Sequence, residues 1–381
     1  MWVYPSQRSA DKAWEVLGQE SQQCDAHMSD TMIVLDDKGL YRTFMRSGTA
    51  IQALDYSLPP NQAVSPDESR QLRALAKNLA TKWQVPVGAE KFYSRTATGE
   101  ELASAFFTLL ADSGSPKGVV GMTKAEIKES QAKVRPYLDS AFQLVRANGQ
   151  RYLADTYVPS DIDEFTIDNV YSTTPADGVI VARYSVTAPG QSTPDSGLVL
   201  SDKSEPRLTT FHWDEADRRW KLVSHANFST PIAAICNAQP IDVVDITPET
   251  KAADLALGTS LIEYWRDITT GKVKGKVMHP NGQIQLADGQ AWPNTSGTPI
   301  KWAPAQAYDF EHLDVTRKGE LLVTSYDAVT ENLQMEGQAY GSTSSPRLLT
   351  YMRTPEGEWR LIALANFVPP KEIPAGVACV K

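Results

Sequence analysis

Few side chains in this sequence recur in a pattern that could support chemistry. Asp155 and Asp288 are one pair: Asn148-Gly149-Gln150 leads to Leu153-Ala154-Asp155, and Asn281-Gly282-Gln283 leads to Leu286-Ala287-Asp288 with the same spacing. A carboxylate whose pKa is raised by burial can take a proton as a general base, whereas one at a strand end can simply cap the next segment. Tyr184 and Tyr326 form a second pair. A tyrosine hydroxyl can donate to a developing oxyanion, or fill a core with its hydroxyl satisfied locally. Arg207 and Arg347 form a third; a buried arginine needs an anionic group, either a ligand or an internal carboxylate.

Other chemistry finds no support. The histidines (His27, His212, His225, His279, His312) lack metal-ligand spacing, and Cys24, Cys236 and Cys379 are too scattered for a zinc site. There is no Gly-x-Ser-x-Gly elbow, phosphate-binding glycine loop or His-Glu-x-x-His. No metal and no cofactor is implied. The net charge of −9 disfavours nucleic acid and anionic membrane surfaces as partners. The densest basic cluster is Lys272, Lys274 and Lys276. No apolar run approaches the roughly 18 residues of a membrane span, and the first residues lack a signal core, which slightly favours a cytoplasmic location unless a signal has been removed. With 381 residues, 41% hydrophobic and 22% charged, the chain reads as globular, with two or more domains.

An internal repeat organises it. Pro206-Arg207-Leu208-Thr209-Thr210-Phe211 returns as Pro346-Arg347-Leu348-Leu349-Thr350-Tyr351. Trp220 to Phe228 returns as Trp359 to Phe367, with five of nine positions identical. The first copy is placed at 122–237 and the second at 251–381, joined by a linker over 238–250. Residues 1–121 match neither copy and read as a mainly helical extension, with helices at 9–23, 66–83 and 99–112 and a short strand at Met32 to Leu35.

Within the first copy, Thr123 and Glu126 make a capping-box pattern for a helix over 123–140. Strand-like runs follow at 164–171, 178–188, 206–213 and 220–228; the second copy has a helix at 251–268 and strands near 309–316, 320–329, 346–353 and 359–367. A helix followed by an antiparallel meander is an α+β pattern. If Trp213 faces Trp220, then Phe211 pairs with Leu222, Thr209 with Ser224 and Arg207 with Ala226, all on one face. The second copy gives Arg353 with Trp359, Tyr351 with Leu361, Leu349 with Ala363 and Arg347 with Ala365. This greasy face with few polar groups suits a pocket wall. The opposite face, carrying Leu208, Thr210, Lys221, Val223 and His225, suits contact between the copies, which makes His225 an interface residue rather than an acid–base group.

The phrases Phe142 to Gly149 and Trp220 to Phe228 resemble the NTF2-like superfamily, in its SnoaL-like and DUF4440-like branch. The resemblance implies two tandem α+β domains, each a cone-shaped, curved sheet wrapped on helices around a pocket. It implies that the outer sheet faces pair, so that the chain is an intramolecular pseudo-dimer and a monomer by that route. Two kinds of function are consistent with it: binding of a small apolar or weakly anionic molecule, or cofactor-independent isomerase, cyclase or hydrolase chemistry using a pocket Asp and Tyr. A non-catalytic scaffold is a third. The residues expected at the pocket are Asp155, Tyr184, Arg207, Phe211, Trp213, Trp220, Leu222 and Ser224, with Asp288, Tyr326, Arg347 and Tyr351 in the second copy. Cys236 and Cys379, at matching places after the two Asn-Phe pairs, are expected to be free and partly buried, because equivalent positions meet only near a twofold axis.

Overall fold

Strands rich in β-branched and aromatic residues dominate the chain. The structure, a computed structural model, describes the backbone of 2–3, 24–28, 31–35, 40–47 and 50–57, and then residues 89–113, 123–162, 164–236, 252–293, 302–335, 338–340, 343–370 and Cys379. Chain contacts divide it into two units, Met1–Glu90 and Lys91–Lys381. In the first, β1 (Trp2–Val3), β2 (Cys24–Met28), β3 (Thr31–Leu35), β4 (Leu40–Ser47) and β5 (Ala50–Ser57) form a sheet in the order β1-β5-β4-β3-β2. A mainly helical extension was expected here. The strand at Met32 to Leu35 is present, but its neighbours are strands too: Tyr41, Thr43 and Phe44, and Ile51 and Tyr56, favour a pleated backbone, and short connections make hairpins of them. The helices expected at 9–23 and 66–83 lie outside the described residues.

The second unit contains both repeats. The first has α1 (Gly99–Ser113), α2 (Lys124–Val134), β6 (Leu138–Arg146), β7 (Arg151–Leu153), β8 (Thr166–Ala176), β9 (Val179–Thr187), β10 (Ser192–Thr193), β11 (Leu198–Leu200), β12 (Glu205–Asp214), β13 (Arg219–Asn227) and β14 (Pro231–Ala234). The second has α3 (Ala252–Thr269), β15 (Met278–Leu286), β16 (Ala291–Trp292), β17 (Trp302–Ala303), β18 (Ala307–Lys318), β19 (Leu321–Glu331), β20 (Leu333–Met335), β21 (Gln338–Tyr340), β22 (Ser345–Arg353) and β23 (Trp359–Asn366). Each repeat builds a six-stranded sheet, in the orders β7-β6-β13-β12-β9-β8 and β16-β15-β23-β22-β19-β18. Strand for strand these are the same order, including one parallel pair in each, β6 with β13 and β15 with β23. The fold is therefore two α+β repeats in tandem.

One local expectation holds and two change. The capping box on α2 is present, with Glu126 N–H donating to Thr123 Oγ1 at 3.2 Å and Thr123 N–H to Glu126 Oε2 at 2.6 Å. The helix stops at Val134 rather than running to 140, because Pro136 cannot continue it, and Leu138 already belongs to β6. Residues 99–113, read as part of the N-terminal extension, belong with the first repeat: α1 packs on β8 and β9 as α3 packs on β18 and β19. At each contact a glycine allows close approach. A Cβ on Gly99 would stand 2.5 Å from Ser172 Cβ, and one on Gly258 would stand 2.6 Å from Val315 Cγ2.

The two sheets pack face to face. Ala141, Val223 and Ala226 of the first repeat share a core with Val323, Ile362 and Ala365 of the second. The contact is reciprocal. Gln143 Nε2 donates to Val323 O (3.1 Å) and Thr316 Oγ1 (2.9 Å), and its equivalent Gln283 donates to Val181 O (2.8 Å) and Thr173 Oγ1 (2.9 Å). The equivalent rings of Phe228 and Phe367 stack with centroids 4.3 Å apart. Lys318 of the second repeat reaches Asp214 of the first at 2.6 Å.

The cysteines, expected to be free, are not: Cys236 and Cys379 form a disulfide with Cα atoms 5.0 Å apart. Like the stacked Phe228 and Phe367, the two cysteines meet across the contact between the repeats. The bridge closes a long loop, so its loss should cost about 2–4 kcal/mol. Thiol titration of the denatured, unreduced protein should find one free thiol, and three would contradict the bridge.

Candidate functional site

The β12–β13 hairpin positions the interior of the first repeat. Trp213 faces Trp220 and Phe211 faces Leu222, as the sequence implies. Between Thr210 and Phe211 the register then shifts by one, so Arg207 faces Asn227, Thr209 faces His225 and Thr210 faces Ser224. A β-bulge inserts one residue and re-aims every side chain beyond it. The same shift occurs between Thr350 and Tyr351, giving Leu349 opposite Leu364 and Arg347 opposite Asn366 rather than Ala363 and Ala365.

His225 is therefore interior to the first repeat, not at the contact between repeats. Its Nδ1 lies 2.8 Å from Thr209 Oγ1, which lies 2.9 Å from the Tyr184 hydroxyl. Conversely Ser224, expected in the pocket, faces the other repeat and accepts from Thr350 Oγ1 at 2.7 Å. The interior of the first repeat is occupied by rings. Phe106 of α1 packs edge-on against His225 with centroids 5.1 Å apart, and Phe107 against Tyr184 at 6.1 Å. Phe211, Trp213, Trp220 and Leu222 are buried, with Trp213 and Trp220 in edge contact at 5.7 Å. Arg207 is buried and donates to Gln191, Ser229 and the carbonyls of Glu205 and Pro206, with no carboxylate among these partners. Burial lowers its pKa to about 10.

Burial, helped by Arg207 and Arg146, holds the His225 pKa well below its ordinary value. Folded His225 is thus neutral where an unfolded histidine begins to protonate, near pH 6.5. Stability from this residue is fully present above that pH. Below it the unfolded chain binds a proton the folded chain refuses, so stability falls by up to about 1.4 kcal/mol per pH unit. Denaturant unfolding between about pH 7 and 5 should show this slope, and His225→Gln should flatten it; equal slopes would contradict the assignment.

The second repeat is hollow. A cavity of about 290 Å³ lies against α3, β15 and β23. Trp265, Ile268, Ile284 and Leu364 give it apolar walls, and Lys276, Tyr308, Arg347 and Asn366 its polar groups. Leu364 stands where the first repeat has His225, and Leu349 where it has Thr209, so the polar chain there has no counterpart here. Tyr308 and Tyr326 are buried with hydroxyls 2.8 Å apart, and burial raises both pKa values. Arg347 donates to Ser345 and to the carbonyls of Pro346 and Phe367. Asn366 is buried, and its Oδ1 has no hydrogen-bond partner among the described residues, whereas the equivalent Asn227 Oδ1 accepts from Ser229 N–H at 2.9 Å.

Of the candidate residues, Arg347 is on the cavity wall. Tyr326 is not on the wall but shares a hydroxyl hydrogen bond with Tyr308, which is. Tyr351 is buried with no hydrogen-bond partner for its hydroxyl among the described residues. Asp155 is largely exposed and ion-paired with Arg135 at 2.6 Å. Asp288 is not its equivalent: it lies in the turn after β15 and accepts from Gln290 N–H at 2.9 Å. Asn148-Gly149 is also a turn, after β6, while Asn281-Gly282 lies inside β15, so the match between the two Asn-Gly pairs is one of letters. Gln143 pairs with Ser224 as Gln283 pairs with Ala363, which makes Asn148 the equivalent of Asp288. Trp265, Tyr308 and Asn366 are cavity residues that no sequence pattern marked as candidates. Asn366 was visible as the invariant partner of Asn227 in the repeat.

No protein-family model matches the chain, and no curated protein matches it. Solved structures do resemble it. A conserved protein from Planctomyces limnophilus is 16% identical, with 100% of its length and 32% of this chain covered at a TM-score of 0.24. An NTF2-like protein from Cytophaga hutchinsonii is 11% identical, with 99% of its length and 31% of this chain covered at 0.25. The chain resembles NTF2-like proteins. An NTF2-like protein involved in plasmid conjugation is 9% identical and matches 70% of this chain over 95% of its own, at 0.19. The likeness is one of fold.

Proposed function

We propose that this chain is a small-molecule binding protein whose second repeat holds the ligand and whose first repeat, filled by α1, is its partner in an intramolecular pseudo-dimer. The observation that carries this reading is the cavity of about 290 Å³ with apolar walls and a buried Asn366 acceptor left without a partner. Concave, mostly apolar sites with a few placed polar groups are where small ligands bind. Reciprocal bonds from Gln143 and Gln283 support the pseudo-dimer, since each sheet uses the same face to cover the other. The catalytic alternative has less support. Asp155 is on the surface of the first repeat, and no carboxylate lines the cavity among the described residues, so the pocket Asp–Tyr pair is not assembled.

Ligand-observed NMR with 1-octanol and indole tests the reading. Saturation transfer is expected for the native protein and should vanish in Leu364→Trp, which fills the cavity. Equal transfer in both would contradict it, with thermal unfolding run alongside to show that the variant folds.

A further inference from the structure

The segment joining α3 to β15 runs past the cavity and carries Lys272, Lys274 and Lys276, all exposed. It is a fixed wall. Gly271, at φ +73, turns the chain off the helix, and Val273 N–H donates to Asp267 O at 3.1 Å. Gly275 sits so close over Tyr264 that an added Cβ would lie 2.1 Å from its hydroxyl oxygen, and Arg360 holds the Lys276 carbonyl. Gly275 and Lys276 both line the cavity. Lys221 and Lys318 in the same unit are ion-paired, with Asp214 and other carboxylates. Lys272, Lys274 and Lys276 are in no ion pair among the described residues. The cavity wall thus offers an exposed cation, Lys276, beside the buried and already bonded Arg347, and no carboxylate among the described residues.

Resting on the binding function proposed above, we propose that the ligand is an amphiphilic anion: an apolar chain or ring system in the cavity, ending in one acidic group held by Lys276, with Lys272 and Lys274 on the same segment adding to the positive field. Apolar burial supplies affinity that does not depend on charge. The cationic wall adds an attraction selective for anions, and salt screens it because the lysines are exposed. A free amphiphile is meant, rather than the same acidic group on a membrane surface, because the cavity takes the apolar end.

Octanoate and 1-octanol share a chain and differ in charge, so titrating both by calorimetry tests the inference. Octanoate should bind about tenfold tighter at low salt and lose that advantage at high salt. The variant Lys272→Gln, Lys274→Gln, Lys276→Gln should cut octanoate affinity about tenfold more than octanol affinity. If octanol binds and octanoate binds no tighter, or the triple variant does not discriminate, the inference fails while the cavity reading stands. If neither binds, both fall. Sedimentation with phosphatidylglycerol vesicles that octanoate does not compete away would also overturn it, in favour of a membrane headgroup.

Discussion

Trp220→Ala should lower the unfolding free energy by about 3–5 kcal/mol. Trp220 is 2% exposed, lies edge-on to Trp213 and donates its indole N–H to the Ser94 carbonyl at 2.8 Å. Truncation would remove the ring and leave a void beside Trp213, over whose ring the Arg95 guanidinium lies at 5.2 Å. It would also untie Ser94, and with it part of the chain leading into α1. A void that the surroundings cannot close costs transfer energy plus lost packing. Urea unfolding measures this directly, and a cost under about 1 kcal/mol would mean that the hairpin face is not the core face it is described as.

Asp195→Ala should cost a similar amount, about 3–5 kcal/mol, for an electrostatic reason. Asp195 and Arg146 are both 2% exposed and lie 3.2 Å apart, with Arg146 also donating to the Tyr152 hydroxyl and Val158 O. Removing the carboxylate leaves a guanidinium buried with neutral partners. The second repeat indicates the remedy, because the residue equivalent to Arg146 there is Leu286. Adding Arg146→Leu to Asp195→Ala should therefore recover part of the loss, since an apolar replacement of a buried pair is far less costly than half of one. A double variant less stable than Asp195→Ala alone would contradict this account of the pair.

The repeat made most of the strands legible. Alternating β-branched and aromatic residues mark β8, β9, β12 and β13 and their counterparts, because a half-buried pleat demands them. The site was less legible, for two physical reasons. A β-bulge between Thr210 and Phe211 has no strong residue signature, yet it exchanges the faces of His225 and Ser224. The Asn-Gly pairs also offered a misleading alignment. Pro206 and Pro346 recur 140 residues apart, and the same offset superimposes Gln143 on Gln283, as the structure does. Anchoring on Asn-Gly instead shifted Asp288 onto Asp155 and suggested a shared carboxylate where none exists. That Phe106 and Phe107 fill one repeat while the other stays open follows from where α1 packs, a tertiary fact that no local pattern carries.

Among the described residues, the second repeat holds an accessible apolar cavity, whereas Phe106 and Phe107 occupy the corresponding interior of the first. Crystals pressurised with xenon, which enters dry apolar cavities, test it without assuming a ligand. Xenon density is predicted beside Trp265, Ile284 and Leu364. Its absence there, or xenon inside the first repeat beside Phe106, Phe107 and His225, would contradict the account.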